Sequence, residues 1–150
     1  MTPAALDPGA ALGLRISFVI ALGATLGSLF VSEVLGYPPC VLCWYQRIAM
    51  YPLAVVLLIA LWLEDRAYPR YSLPLAGLGA ALAIYHNLLY YGVIPEEIAP
   101  CEQGVSCTTR QVELLGFITV PLMSLAAFVT IGALGWLARD AGSRAGKGAP

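Results

Sequence analysis

Charge is scarce in this chain: 11% of its 150 residues are Asp, Glu, Lys or Arg, where soluble domains carry about 25%. With 59% hydrophobic residues, the composition excludes an ordinary soluble domain. A basic excess is missing too. The net charge is -1, and no basic face or dense interleaving of aromatic with basic residues is present, which argues against nucleic acid as a partner. The leader before the first apolar run holds Asp7 and neither Lys nor Arg. That does not fit the positive start of a cleaved signal peptide, so the first run is expected to be a retained span. There is no second soluble domain and no internal repeat, and the length suits a single domain.

What the chain does have is long apolar runs. About 20 apolar residues cross a bilayer core, and four stretches qualify: 12–35, 44–63, 73–91 and 115–138. Backbone groups in lipid must be satisfied within the segment, so each run is expected to be a helix. The fold class that follows is all-α, an integral membrane four-helix bundle in one domain, residues 1–138. Residues 139–150, rich in Gly and Ala with three basic residues, are expected to be a disordered cytoplasmic tail. No Asp or Glu lies centrally in the second to fourth runs, and Glu33 is near an end of the first. Proton-coupled transport is disfavoured on that ground.

Basic residues set the orientation. Arg15, Arg66, Arg70, Arg139, Arg144 and Lys147 fall at the end that carries the termini and the 64–70 link; Arg47 and Arg110 fall at the other. Both termini are therefore expected in the cytoplasm, with the cysteine loops outside, in the compartment where disulfides persist. Tyr37, Trp44, Tyr45, Tyr90 and Tyr91 are expected to form an interfacial aromatic belt at that outer end.

Cysteine occurs four times, as Cys40-Val41-Leu42-Cys43 and as Cys101 and Cys107 with five residues between them. Pro38-Pro39 suits the start of a helix and not its interior, so the second helix should begin near Cys40. A thiol at a helix N-terminus meets partial positive charge, which favours the thiolate. Arg47 lies four residues after Cys43, hence on the same helical face. An intramembrane arginine is a functional candidate by default, against the alternative that it snorkels to the interface.

Cys101 and Cys107 can close a small disulfide loop around Gly104. That loop could exchange with an incoming thiolate or simply fasten the segment. A zinc ion shared by four thiolates is disfavoured by the loose second spacing and the oxidising compartment, so no metal is expected. His86, the single histidine, should lie roughly 7 Å below the outer end of the third helix, and Arg47 roughly 10 Å deep in the second. At similar depths the two could hydrogen-bond one ring. The alternative is a histidine satisfied by Asn87, Gln46 or a backbone carbonyl across the bundle.

The run Cys40-Val41-Leu42-Cys43-Trp44-Tyr45-Gln46-Arg47 closely resembles the signature of the disulfide-bond formation protein B (DsbB) family. Ile84 to Leu89, the compact second pair of cysteines and Gly116 to Pro121 resemble its short, BdbC-type branch, and together the likeness covers most of residues 12–138. The resemblance implies a quinone-dependent oxidoreductase of the cytoplasmic (inner) membrane. It would reoxidise a thioredoxin-fold dithiol oxidase of the DsbA or BdbD kind and pass the electrons to ubiquinone or menaquinone. By the same resemblance Cys101 and Cys107 form the disulfide that the partner attacks, with the mixed disulfide at Cys101. Cys107 then exchanges with Cys40, and Cys43 donates to the quinone beside Arg47 and His86.

One departure is the short spacing of Cys101 and Cys107, which the longer branch separates widely. A vitamin K epoxide reductase-like protein is the alternative enzyme, but its quinone-side CxxC opens the last helix, whereas here it opens the second. A membrane scaffold with structural disulfides is the non-enzymatic alternative.

Overall fold

The computed structural model describes residues 7–95, 107, 113–114 and 118–147. Four helices dominate: α1 (Pro8–Leu29), α2 (Val41–Leu63), α3 (Pro69–Tyr90) and α4 (Val120–Lys147). The shortest has 22 residues, about 33 Å at 1.5 Å per residue, enough for a hydrocarbon core of about 30 Å. All four are long and apolar enough to cross a membrane. The protein is thus a multi-pass membrane bundle.

Packing makes a ring. α1 contacts α2 and α4, and α3 contacts the same two helices, the neighbour pattern of a four-helix bundle. The core is built from small and aliphatic side chains: Leu14, Ala21, Ala49, Leu53, Leu57, Ala76, Ala83 and Ile131 are buried. Small residues let helix backbones approach in lipid, where close packing replaces the hydrophobic effect as the force between helices. At Gly79 the approach is closest. A Cβ there would clash with the ring of Phe128, so glycine is what lets α3 and α4 pack this closely. Outward-facing Val19, Val55, Trp62 and Leu137 are exposed, a liability in water but the ordinary surface of a membrane span.

The helix ends explain the boundaries. Pro8 and Pro69 occupy first-turn positions of α1 and α3, where the missing N–H costs nothing. α1 ends in a π-helical turn, Phe30–Val34. Between α2 and α3, Glu64 adopts a left-handed conformation at φ 48°, and Asp65 Oδ1 accepts the Ala67 N–H at 2.7 Å. The Tyr71 hydroxyl donates to Asp65 Oδ2, also at 2.7 Å, locking the tight link. Before α4, strands β1 (Glu113–Leu114) and β2 (Ile118–Thr119) pair antiparallel, Glu113 opposite Thr119.

Several boundaries differ from those the apolar runs suggest. α1, α2 and α3 begin three or four residues earlier, at Pro8, Val41 and Pro69, because proline and cap residues, and not hydropathy, decide where a helix starts. α4 begins at Val120 and not Leu115. Pro121 suits its first turn, and the Thr119 hydroxyl accepts the Leu122 N–H at 3.4 Å. The segment expected as a disordered tail is helical as far as Lys147. The stretch continues α4 without a break, and Arg144 pairs with Asp140 one turn earlier at 2.7 Å.

Candidate active site

At the end of the bundle opposite the chain termini, α2 begins on a cysteine. Cys40 is the N-cap residue, with extended φ −69° and ψ 169°, and its sulfur accepts the Cys43 N–H at 3.3 Å. Sulfur here takes the place of the usual Ser or Asp oxygen. The two sulfurs lie 2.8 Å apart, and both residues are free thiols. The hydrogen bond with Cys43 holds the Cys40 thiol well below the ordinary thiol value; burial opposes this, while His86 and the Cys43 N–H add to it. The N-cap position therefore favours negative charge on Cys40.

His86, buried on α3, joins a polar chain that crosses three helices. Its Nε2 lies 3.2 Å from the Cys107 carbonyl oxygen and 3.9 Å from Cys40 Sγ. A carbonyl only accepts, so Nε2 carries the hydrogen. Nδ1 then accepts from the Gln46 amide nitrogen at 2.9 Å, and Gln46 Oε1 accepts from the Ser124 hydroxyl at 2.6 Å. The Cys107 carbonyl sets the tautomer of the ring, and the Gln46 amide turns to match it. The partners expected for a merely satisfied histidine, Gln46 and a backbone carbonyl, are those found. Asn87 does something else: its amide donates to the carbonyls of Ala83 and Pro121, bracing α3 against the first turn of α4.

Arg47, also buried, donates to the Ser28 carbonyl on α1 at 2.7 Å. Its guanidinium stands 5.3 Å from the centroid of the Trp44 ring, a distance at which cation–π attraction acts. Ser28 is held in turn, its hydroxyl 3.0 Å from that of Tyr51. The arginine is thereby fixed inside the bundle.

These side chains share one cavity of about 430 Å³. Cys40, Cys43, Arg47, His86 and Cys107 all contribute to its wall, and the rest is mostly apolar, including Val31, Met50, Met123, Ala127 and Phe128. Gly23 and Gly27 leave open space where a side chain would project. Cys107 is buried and disulfide-bonded. Cys101 lies outside the described residues. Ser28, Tyr51 and Ser124 are site residues that sequence reasoning missed; their signal was a hydroxyl inside an apolar span.

A membrane bundle that gathers a CxxC thiol pair and a disulfide-bonded cysteine around one apolar cavity defines a multi-pass protein of thiol–disulfide chemistry. The model of the family described as disulfide bond formation protein DsbB matches residues 11–138, and the chain belongs to that family. A probable disulfide formation protein of Metapseudomonas resinovorans is 47% identical over 122 residues, covering 81% of this chain and 85% of that one. Disulfide bond formation protein C of Bacillus subtilis is 45% identical over 118 residues, 79% of this chain and 86% of its own. A probable disulfide formation protein of Deinococcus radiodurans is 43% identical over 130 residues, 81% and 84% of the two chains. No solved structure matches the chain.

Proposed function

We propose that this membrane disulfide-forming protein oxidises the dithiol of an exported thioredoxin-fold oxidase and delivers the two electrons to a membrane quinone, ubiquinone or menaquinone. The observation that carries the reading is the common wall: Cys43, Arg47, His86 and Cys107 line one mostly apolar cavity. Its volume of about 430 Å³ falls within the usual range for small-molecule sites, about 300–1,000 Å³. The apolar wall suits a lipid-soluble ring, and Arg47 supplies a hydrogen-bond donor and positive charge for its carbonyl oxygens. When bound, a quinone supplies a two-electron, two-proton acceptor.

The chain's own residues carry the electrons to that point by thiol–disulfide exchange. A partner thiolate attacks the Cys101–Cys107 disulfide, bonds to Cys101 and releases Cys107 as a thiolate. The partner's second thiolate displaces Cys101, which leaves the partner oxidised and Cys101 and Cys107 reduced. Cys107 then attacks Cys40 of an oxidised Cys40–Cys43 pair and releases Cys43 at the cavity wall. Attack of Cys101 on Cys107 restores the loop disulfide and leaves Cys40 and Cys43 holding two electrons. Arg47, one turn beyond Cys43, supplies the compensating charge while Cys43 is an anion. The form with free Cys40 and Cys43 beside a disulfide-bonded Cys107 corresponds to that last state.

Exchange with exported proteins requires the cysteine end to face outward. The distribution of basic residues supports this, since six of the eight lie toward the other end. The test mixes purified protein, a reduced thioredoxin-fold oxidase and quinone, and follows quinone absorbance together with partner thiols. Stoichiometric loss of both is expected. Loss of partner thiols with no change in quinone would refute the acceptor.

A further inference from the structure

We propose that Cys40, Cys43 and His86, in the reduced protein, form a three-ligand site for a thiophilic divalent cation, Zn²⁺ or Cd²⁺. Cys40 Sγ, Cys43 Sγ and one His86 ring nitrogen all lie within 4.8 Å of one another. Around tetrahedral zinc, with bonds of about 2.3 Å to sulfur and about 2.0 Å to nitrogen, two sulfurs stand about 3.8 Å apart and sulfur and nitrogen about 3.5 Å. The sulfur–nitrogen separation of 3.9 Å is close to that spacing already. The sulfurs, at 2.8 Å, must open by about 1 Å, a change within reach of the Cys43 χ1. The three side chains face the cavity, leaving a fourth position for water.

The groups behind His86 make the site more than a chance meeting of ligands. A metal on Nε2 needs the hydrogen on Nδ1, with an acceptor facing it. Gln46 can provide one by turning its amide over, so that Oε1 accepts from Nδ1. Its amide nitrogen then donates to Ser124 Oγ, whose hydroxyl hydrogen goes to the Pro121 carbonyl 2.9 Å away. Amide and hydroxyl both reverse without losing a hydrogen bond. The polar chain therefore serves either tautomer, and the Cys107 carbonyl passes to the water on the metal.

Only the dithiol form can hold the ion, because a disulfide offers no thiolate. Metal and oxidation thus compete for the same two sulfurs, and a bound cation arrests the pair in its reduced state. This inference is independent of the quinone and of the partner, neither of which enters the test.

The test uses reduced full-length protein carrying Cys101→Ser and Cys107→Ser, which removes the other thiols, and titrates it with Cd²⁺. The ultraviolet thiolate-to-cadmium band should saturate at a single ion per chain. Cys43→Ser should abolish it, and Gln46→Leu should weaken binding about 10- to 100-fold, the usual effect of losing the group that orients a ligating histidine. X-ray absorption on the zinc-loaded protein provides a readout that needs no change at His86. Two sulfurs at about 2.3 Å with one imidazole nitrogen at about 2.0 Å are expected. Absence of the band, unchanged affinity in Gln46→Leu, or a metal with sulfur ligands and no imidazole would overturn the proposal.

Discussion

His86 Nε2 lies 3.2 Å from the carbonyl oxygen of Cys107, which can only accept, so the imidazole presents a hydrogen, and not a lone pair, to the sulfur end of the site. Cys40 thereby gains a donor from α3 in addition to those from its own helix turn. A thiol whose proton leaves at lower pH keeps its thiolate further into acid. In reduced protein, alkylation of Cys40 should therefore hold a plateau well below pH 7, where an ordinary thiol slows tenfold per unit. His86→Ala should move the midpoint upward by about 1 unit or less, since its hydrogen is shared with the Cys107 carbonyl and a full hydrogen bond to a charged group is worth about 1.5–3 kcal/mol. A midpoint that does not move would assign the thiolate to the helix turn alone.

Cys43 and Arg47 differ in what their loss removes. On the proposed relay, Cys43→Ala takes away a reacting atom and should abolish quinone reduction. Arg47→Ala leaves the thiols intact and should raise KM for quinone about tenfold or more. Arg47→Lys should recover this only in part, because an ammonium lacks the planar fork that meets both the Ser28 carbonyl and the Trp44 face. Steady-state rates over a range of quinone concentrations separate these outcomes.

Gly27 marks the α1 side of the cavity, with free space where a side chain would extend. Gly27→Leu should fill part of that volume, raising KM for quinone while leaving partner-thiol exchange in a single turnover unchanged. Helix stability should not suffer, as leucine is the better helix former by up to about 1 kcal/mol.

Gly79 has the opposite surroundings. Gly79→Ala drives a methyl into the Phe128 ring and should destabilise the α3–α4 contact by about 1–3 kcal/mol. A lowered melting temperature in detergent would register this, and Phe128→Leu in the same chain should restore part of the loss.

Much of this architecture is legible in the order of the residues. Apolar run length locates all four spans, and Pro38-Pro39 announces that α2 starts at Cys40, because proline constraints act locally. The shared face of Cys43 and Arg47 follows from helical periodicity alone. Cross-helix relations are not legible. Whether Ser124 meets Gln46, or Arg47 the Ser28 carbonyl, depends on helix rotation and depth, which side-chain packing sets. Helix ends are misjudged where hydropathy stops being informative: the helical Arg139–Lys147 stretch continues α4 and carries an i,i+4 ion pair.

The proposed relay between the two cysteine pairs, with its Cys101–Cys107 loop disulfide, is tested most directly in Cys43→Ser. With no resolving thiol beside it, Cys40 can attack Cys107 of the loop disulfide, forming a Cys40–Cys107 bond and releasing Cys101 as a thiol. Mass spectrometry of the unreduced, alkylated digest should find the Cys40 and Cys107 peptides joined and Cys101 alkylated. An intact Cys101–Cys107 bridge with Cys40 alkylated, or Cys40 joined to Cys101, would contradict the account.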